Sequence, residues 1–203
     1  VCHGATACRP GLRTMALHYL KAHFTNPNVL TMYRVVSIPV VVLLLMYPNR
    51  LTTFAAALIF SAASITDWLD GYLARRYHMV SSFGKVMDPV ADKLLVSSAF
   101  IMMSSLGWIP AWVVCVIIGR ELAVTGLRNI IAENKQDVSA SDLGKYKTGF
   151  QIAAIIPLLI HYRYLGIEFH VVGMFFLWGA LLLTVWSGAD YFLRFRKLLK
   201  FTS

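Results

Sequence analysis

Charge is scarce in this 203-residue chain, at 14% of residues, and acidic charge is scarcer, with ten Asp and Glu against nineteen Lys and Arg. A soluble domain of this length needs more charge than that to cover its surface. Cysteine is nearly absent. Cys2, Cys8 and Cys115 have no metal-ligand spacing and form no disulfide framework; Cys115 lies in an apolar run and reads as a small core residue. Residues 1–14 hold no Met and no apolar stretch of the kind a signal peptide requires. Met15 is the better start, so 1–14 read as a non-functional N-terminal extension of a single domain, 15–203. The formal net charge of +9 does not point to nucleic acid, because the basic residues form no continuous patch interleaved with aromatics.

Apolar residues are what the chain has in excess, at 58% with a mean hydropathy of +0.63. They come in long blocks separated by short polar breaks, the pattern of an all-α polytopic membrane bundle with six transmembrane helices. The predicted helices run over residues 29–47, 51–76, 85–106, 111–132, 143–160 and 169–193. Pro48-Asn49 ends the first, and Gly107 with Pro110 turns the third into the fourth. Residues 133–142 form the longest internal loop, 161–168 a short connection, and 194–200 a basic tail suited to anionic headgroups. Residues 16–24 either lie along the membrane as a short amphipathic helix or form an ordinary basic flank.

The basic residues orient this bundle. With the N-terminus inside, the outer connections hold only Arg50 and Arg163 of the nineteen Lys and Arg. The positive-inside rule then places both termini on the cytoplasmic side of the cell's inner membrane. Trp108, Trp112 and Tyr164 suit an aromatic belt, and His161 and His170 an outer interfacial position.

Four carboxylates sit near one membrane face. Asp67 and Asp70, three apart on the second helix, share a face, as do Asp88 and Asp92, four apart on the third. The short loop between these helices makes them antiparallel neighbours, so the four acids can converge. Unpaired, they would repel one another and resist ionisation near lipid. An ion-pair network with Arg75, Arg76, Lys85 and Lys93 would relieve that, but ion pairing alone does not call for an all-carboxylate cluster. Hard cations such as Mg²⁺ or Mn²⁺ do, since they take oxygen ligands and bridge carboxylates to phosphates. Two such ions suit an in-line phosphoryl displacement. Gly71 and Gly84, beside the acids, leave backbone room for a bulky ligand.

The run Asp67-x2-Asp70-Gly71-x2-Ala74-Arg75-x8-Gly84-x3-Asp88-x3-Asp92 resembles the signature of the CDP-alcohol phosphotransferases, at eight positions within 26 residues. The resemblance covers nearly all of the chain from about Thr25. It implies six spans, a frequent homodimer, and metal-dependent displacement on a CDP-linked lipid. It makes Asp67, Asp70 and Asp88 ligands of Mg²⁺ or Mn²⁺, with two ions expected. Asp92 becomes a further ligand or the catalytic base. Gly71, Ala74, Arg75 and Gly84 would line the CDP-lipid site, with Asn28, Thr31 and Arg34 from one face of the first helix.

The flanking segments resemble the branch of the family that makes phosphatidylglycerophosphate. They are Arg120-Glu121, Leu127-Arg128, Gly144-Lys145-x-Lys147-Thr148 and Gln151. Arg120 and Arg128 stand about two turns apart, and Lys145 and Lys147 open the next helix on the same side. An acceptor that carries a phosphate needs such a cationic pocket; taken singly, Arg128, Lys145 and Lys147 also suit membrane-face anchors. Arg120 lies inside the apolar stretch, where it needs Glu121 or a ligand phosphate as partner. The expected partners are therefore CDP-diacylglycerol, glycerol 3-phosphate and membrane lipids. Two alternatives stand: the same chemistry with inositol phosphate, serine or phosphatidylglycerol as acceptor, and a cation transporter. The transporter fits poorly, for the acids gather at one face and no inverted repeat is visible.

Overall fold

The computed structural model describes the backbone of residues 27–77, 82–133, 142–164 and 166–202, and the side chains of 32–66, 90–128, 146–164 and 166–193. The extension 1–14, the segment 16–24 and most of the 133–142 loop lie outside these residues. Six helices are seen: α1 (Pro27–Met46), α2 (Arg50–Tyr77), α3 (Ser82–Ser105), α4 (Ala111–Glu133), α5 (Asp142–Ile160) and α6 (Phe169–Thr202). Between the last two lie β1 (Arg163–Tyr164) and β2 (Ile167–Glu168). The fold is all-α, as expected.

Local chemistry explains the boundaries. Pro48 ends α1, and Asn49 caps α2: its Oδ1 accepts from the backbone N–H of Leu51 at 2.9 Å and of Thr52 at 3.0 Å. Thr52 Oγ1 in turn accepts from the Asn49 N–H at 2.9 Å, a reciprocal box that satisfies the exposed donors of the first turn. The α3 terminus closes in a Schellman motif. Gly107, at φ 73°, donates to the Ser104 carbonyl and Trp108 donates to that of Met103, both at 3.0 Å.

One core joins the helices. Val41 and Leu45 of α1, Phe60 of α2, Leu95, Phe100 and Met103 of α3, Val113 and Ile117 of α4, Ile155 and Leu158 of α5 and Leu177 of α6 are all buried within it. The most extensive packing is α5 on α6, and α1 lies against both α2 and α3. At the α5–α6 crossing a Cβ on Gly173 would fall 2.5 Å from Leu158 Cγ and 2.9 Å from its backbone nitrogen, so only glycine permits this approach.

Three expectations change. Cys115 is exposed: the buried stripe of α4 runs through Val113, Ile117 and Val124, and Cys115 stands on the opposite side of the turn. The 161–168 connection contains an antiparallel hairpin pairing Arg163 with Glu168 and Tyr164 with Ile167. It is fixed to α2, for the Tyr164 hydroxyl donates to the Arg50 carbonyl at 3.3 Å. The basic tail is not a separate segment, because α6 runs through it to Thr202. α2 and α3 are in contact over their described residues, and each packs more extensively on α1. Among the described residues one helical stretch, Phe169–Leu193, is long and apolar enough to cross a membrane, and Met32–Met46, Arg50–Thr66 and Tyr146–Ile160 are apolar stretches that each reach a limit of the described side chains.

Candidate functional site

The charged residues of α4 share the face that its apolar residues bury. At 100° per residue, Arg120, Glu121 and Arg128 fall on the stripe of Val113, Ile117 and Val124. The helix therefore carries ionic groups into the bundle, and they open a cavity of about 330 Å³ there. α3 contributes Asp92 and Lys93 to its wall, α4 Arg120, Glu121, Thr125 and Arg128, α5 Lys147, Thr148 and Gln151, and α6 Tyr191.

Glu121 is the hub. Its Oε1 forms an ion pair with Lys147 Nζ, whose side chain is only 4% exposed. The same oxygen lies 3.8 Å from Arg120 Nη1 and accepts a long hydrogen bond, 3.5 Å, from Gln151 Nε2. Lys93 donates to Thr125 Oγ1, and that hydroxyl spends its single proton on the Glu121 carbonyl at 2.7 Å. A lysine beside Asp92 is thus tied to the backbone of the hub.

Arg120 reaches across to α6, where its Nη2 donates to Ser187 Oγ. Its guanidinium carbon stands 6.0 Å from the centre of the Tyr191 ring, and that of Arg128 stands 5.7 Å from the same ring. One aromatic ring therefore serves both arginines, a favourable cation–π arrangement. Four cations, Lys93, Arg120, Arg128 and Lys147, face two carboxylates, Asp92 and Glu121, across the cavity wall. The excess positive charge among these described wall residues favours an anion.

The predicted acceptor residues Arg120, Arg128 and Lys147 thus meet around one cavity with Asp92. Lys145 lies one turn into α5, with its side chain outside the described residues. Asp67, Asp70, Gly71, Ala74 and Arg75 are on α2, and Gly84 and Asp88 on α3; for these, and for Asn28 and Thr31 on α1, only the backbone is described. Arg34 is buried on α1 and does not line this cavity. No group of three or more His, Cys, Asp or Glu gathers among the described residues, a set that includes only one of the four signature aspartates. The donor set itself fits a hard divalent cation: the helical backbone keeps Asp67 and Asp70 on one face of α2 and Asp88 and Asp92 on one face of α3, and all four offer oxygen.

Sequence reasoning treated Lys93 only as a counter-charge and passed over Ser187 and Tyr191. The available signal was polar spacing, since Ser187, Asp190 and Tyr191 interrupt an otherwise apolar α6.

At the α5–α6 connection His161 stacks on Trp108, with ring centres 4.0 Å apart and planes 13° apart, and meets His170 edge-on at 5.0 Å. Burial, then the neighbouring charge of His170, lowers the pKa of His161. The two histidines flank the hairpin.

Comparison with known proteins gives a consistent result. The family model described as CDP-alcohol phosphatidyltransferase matches residues 24–186. A Bacillus subtilis (strain 168) protein named CDP-diacylglycerol–glycerol-3-phosphate 3-phosphatidyltransferase is 43% identical over 185 residues, covering 83% of this chain and 94% of its own length. Proteins of the same name from Rickettsia typhi and Escherichia coli (strain K12) are 42% and 38% identical, each covering more than four-fifths of this chain and more than nine-tenths of their own.

Proposed function

We infer the reaction from one premise: the chain belongs to the CDP-alcohol phosphatidyltransferase family. It transfers the phosphatidyl group of CDP-diacylglycerol to sn-glycerol 3-phosphate, releasing CMP and forming phosphatidylglycerophosphate, the reaction in the name of its 38–43% identical relatives. The observation that carries the acceptor is the single cavity in which Arg120, Arg128 and Lys147 stand with Asp92. A phosphate monoester near neutral pH carries about two negative charges, the number by which the cations among the described wall residues exceed the carboxylates. An uncharged alcohol would leave the cations of this partly open cavity without a counter-charge.

Arg120 and Arg128 offer forked donors to the acceptor phosphate, and Lys147, fixed by Glu121, adds a point charge. The phosphate so held brings the free primary hydroxyl toward Asp92. The Asp92 carboxylate takes the hydroxyl proton as the oxygen attacks the phosphorus bearing diacylglycerol. A new P–O ester bond forms, the phosphoanhydride bond to CMP breaks, and CMP leaves with the bonding electron pair. Asp67, Asp70, Asp88 and Asp92 would hold two Mg²⁺ or Mn²⁺ ions, which when bound neutralise the diphosphate and the departing CMP.

Both the lipid substrate and the surface of the bundle favour a membrane setting with six spans and the cavity on the cytoplasmic side. Leu43, Leu58, Phe175, Leu182 and Trp186 all project outward more than half exposed, an apolar surface that lipid would cover.

The test is CMP release by purified protein in mixed micelles with CDP-diacylglycerol and Mg²⁺ or Mn²⁺. Release that requires glycerol 3-phosphate and stops with EDTA is expected. No release, or equal release with serine, inositol phosphate or phosphatidylglycerol as acceptor, would overturn the assignment.

A further inference from the structure

The acceptor reading leaves the inner half of α6 without a role, yet three of its residues converge on one side chain. Ser187, 1% exposed, takes a hydrogen bond from Arg120 Nη2. Tyr191, also buried, sets its ring against the guanidinium groups of both Arg120 and Arg128. Between them, a Cβ on Gly188 would stand 3.1 Å from Arg120 Cγ and 3.7 Å from its Nε, closer at Cγ than ordinary van der Waals contact. The arginine stem therefore lies along α6 at the point where α6 has no side chain. Arg120 Nε is buried and has no hydrogen-bond partner among the described residues, so this donor is still available.

We propose that Ser187, Gly188 and Tyr191 are positioning residues: together they fix Arg120 in the conformation that receives the phosphate of the acceptor. The inference rests on the acceptor reading above. Its physical basis is preorganisation. A long, flexible cation loses rotamer freedom on binding unless the protein has already fixed it, and a guanidinium must be correctly aimed to engage phosphate with two donors. Gly188 supplies the groove for the stem, Ser187 fixes one Nη, and Tyr191 supports the flat face while easing the approach of the second arginine. None of the three needs to touch the substrate.

The assignment makes α6 a determinant of acceptor affinity without a part in CDP-lipid binding. The test uses full-length enzyme in mixed micelles, comparing Ser187→Ala, Gly188→Ala, Tyr191→Leu and Tyr191→Phe with Arg120→Ala. Ser187→Ala and Gly188→Ala are each expected to raise KM for glycerol 3-phosphate about tenfold, the scale of one lost charge-assisted hydrogen bond. KM for CDP-diacylglycerol should stay within about twofold, as for any group that meets only the acceptor. Tyr191→Phe, which keeps the ring, should show a smaller rise than Tyr191→Leu. If Arg120→Ala raises the acceptor KM and the α6 variants do not, the positioning role is wrong and the acceptor reading stands. If Arg120→Ala itself leaves that KM unchanged, both fail. Equal changes in both substrates' KM and in kcat, accompanied by lower thermal stability, would make these residues merely structural and overturn the proposal.

Discussion

Glu121→Gln separates what the hub carboxylate does for folding from what the cavity does for its ligand. In the native protein Glu121 Oε1 neutralises Lys147, whose side chain is 4% exposed, and lies 3.8 Å from Arg120. Breaking a buried pair from one side costs about 3–5 kcal/mol because a charge is left uncompensated. Two features reduce that here. Glu121 is itself 18% exposed, and a glutamine oxygen still accepts from Lys147 and Gln151. A loss of about 2 kcal/mol is therefore expected, which for a chain of this length lowers Tm by about 4–8 °C. The cavity wall meanwhile gains one unit of positive charge, so glycerol 3-phosphate should stabilise the variant more than it stabilises the parent. Adding Lys147→Met should recover part of the stability, since charge and partner are then removed together, and should abolish the extra stabilisation by the phosphate. The assay is thermal unfolding in one fixed detergent, with and without glycerol 3-phosphate. A Tm change below about 2 °C, or a double variant less stable than Glu121→Gln alone, would refute the reasoning that Glu121 compensates a buried Lys147.

Asp92→Asn should lower kcat by about 10²–10⁴-fold if the carboxylate takes the acceptor proton, while binding of CDP-diacylglycerol remains measurable; unchanged turnover in the CMP-release assay would remove Asp92 from the chemistry. Gly173→Ala should cost about 1–3 kcal/mol by overpacking, read as a fall in Tm; Leu158→Ala should repair it only in part, because the Leu158 backbone nitrogen stays 2.9 Å from the added carbon. The lowered pKa of His161 means that the folded state favours its neutral form. Its contribution is therefore complete above the ordinary value of 6.5 and is lost as pH falls through the lower folded value. Tm measured from pH 7.5 down to 5 should decline, and His161→Asn, which tolerates the left-handed φ of 55° there, should flatten that decline.

What could be read from the sequence was local, and what could not was a matter of partners. The six helices followed from apolar blocks punctuated by Pro48, Gly107 and Pro110, residues that constrain the backbone wherever they occur. The length of α6 did not follow, because its charge pattern was read as a structural end. Lys, Arg and Leu are good helix formers, and no Gly or Pro stands between Asp190 and Thr202 to stop the helix. A charge change at a membrane face ends a span without ending a helix. Cys115 was misplaced for a related reason: an apolar run gives no phase, whereas Arg120, Glu121 and Arg128 do, once they are seen on the stripe of Val113 and Ile117. A helix that carries site residues into a bundle must give up apolar positions to do so, and α3, α4 and α5 each do. Arg120 and its need for a partner were legible because a cation inside an apolar stretch is costly. Their support on α6 was not, since Ser187 lies 67 positions from Arg120 and a lone serine in an apolar helix is ordinary. Only the approach of the two helices gives Ser187 and the missing Cβ of Gly188 a shared purpose, so α6 serves the site by what it leaves out as much as by what it donates.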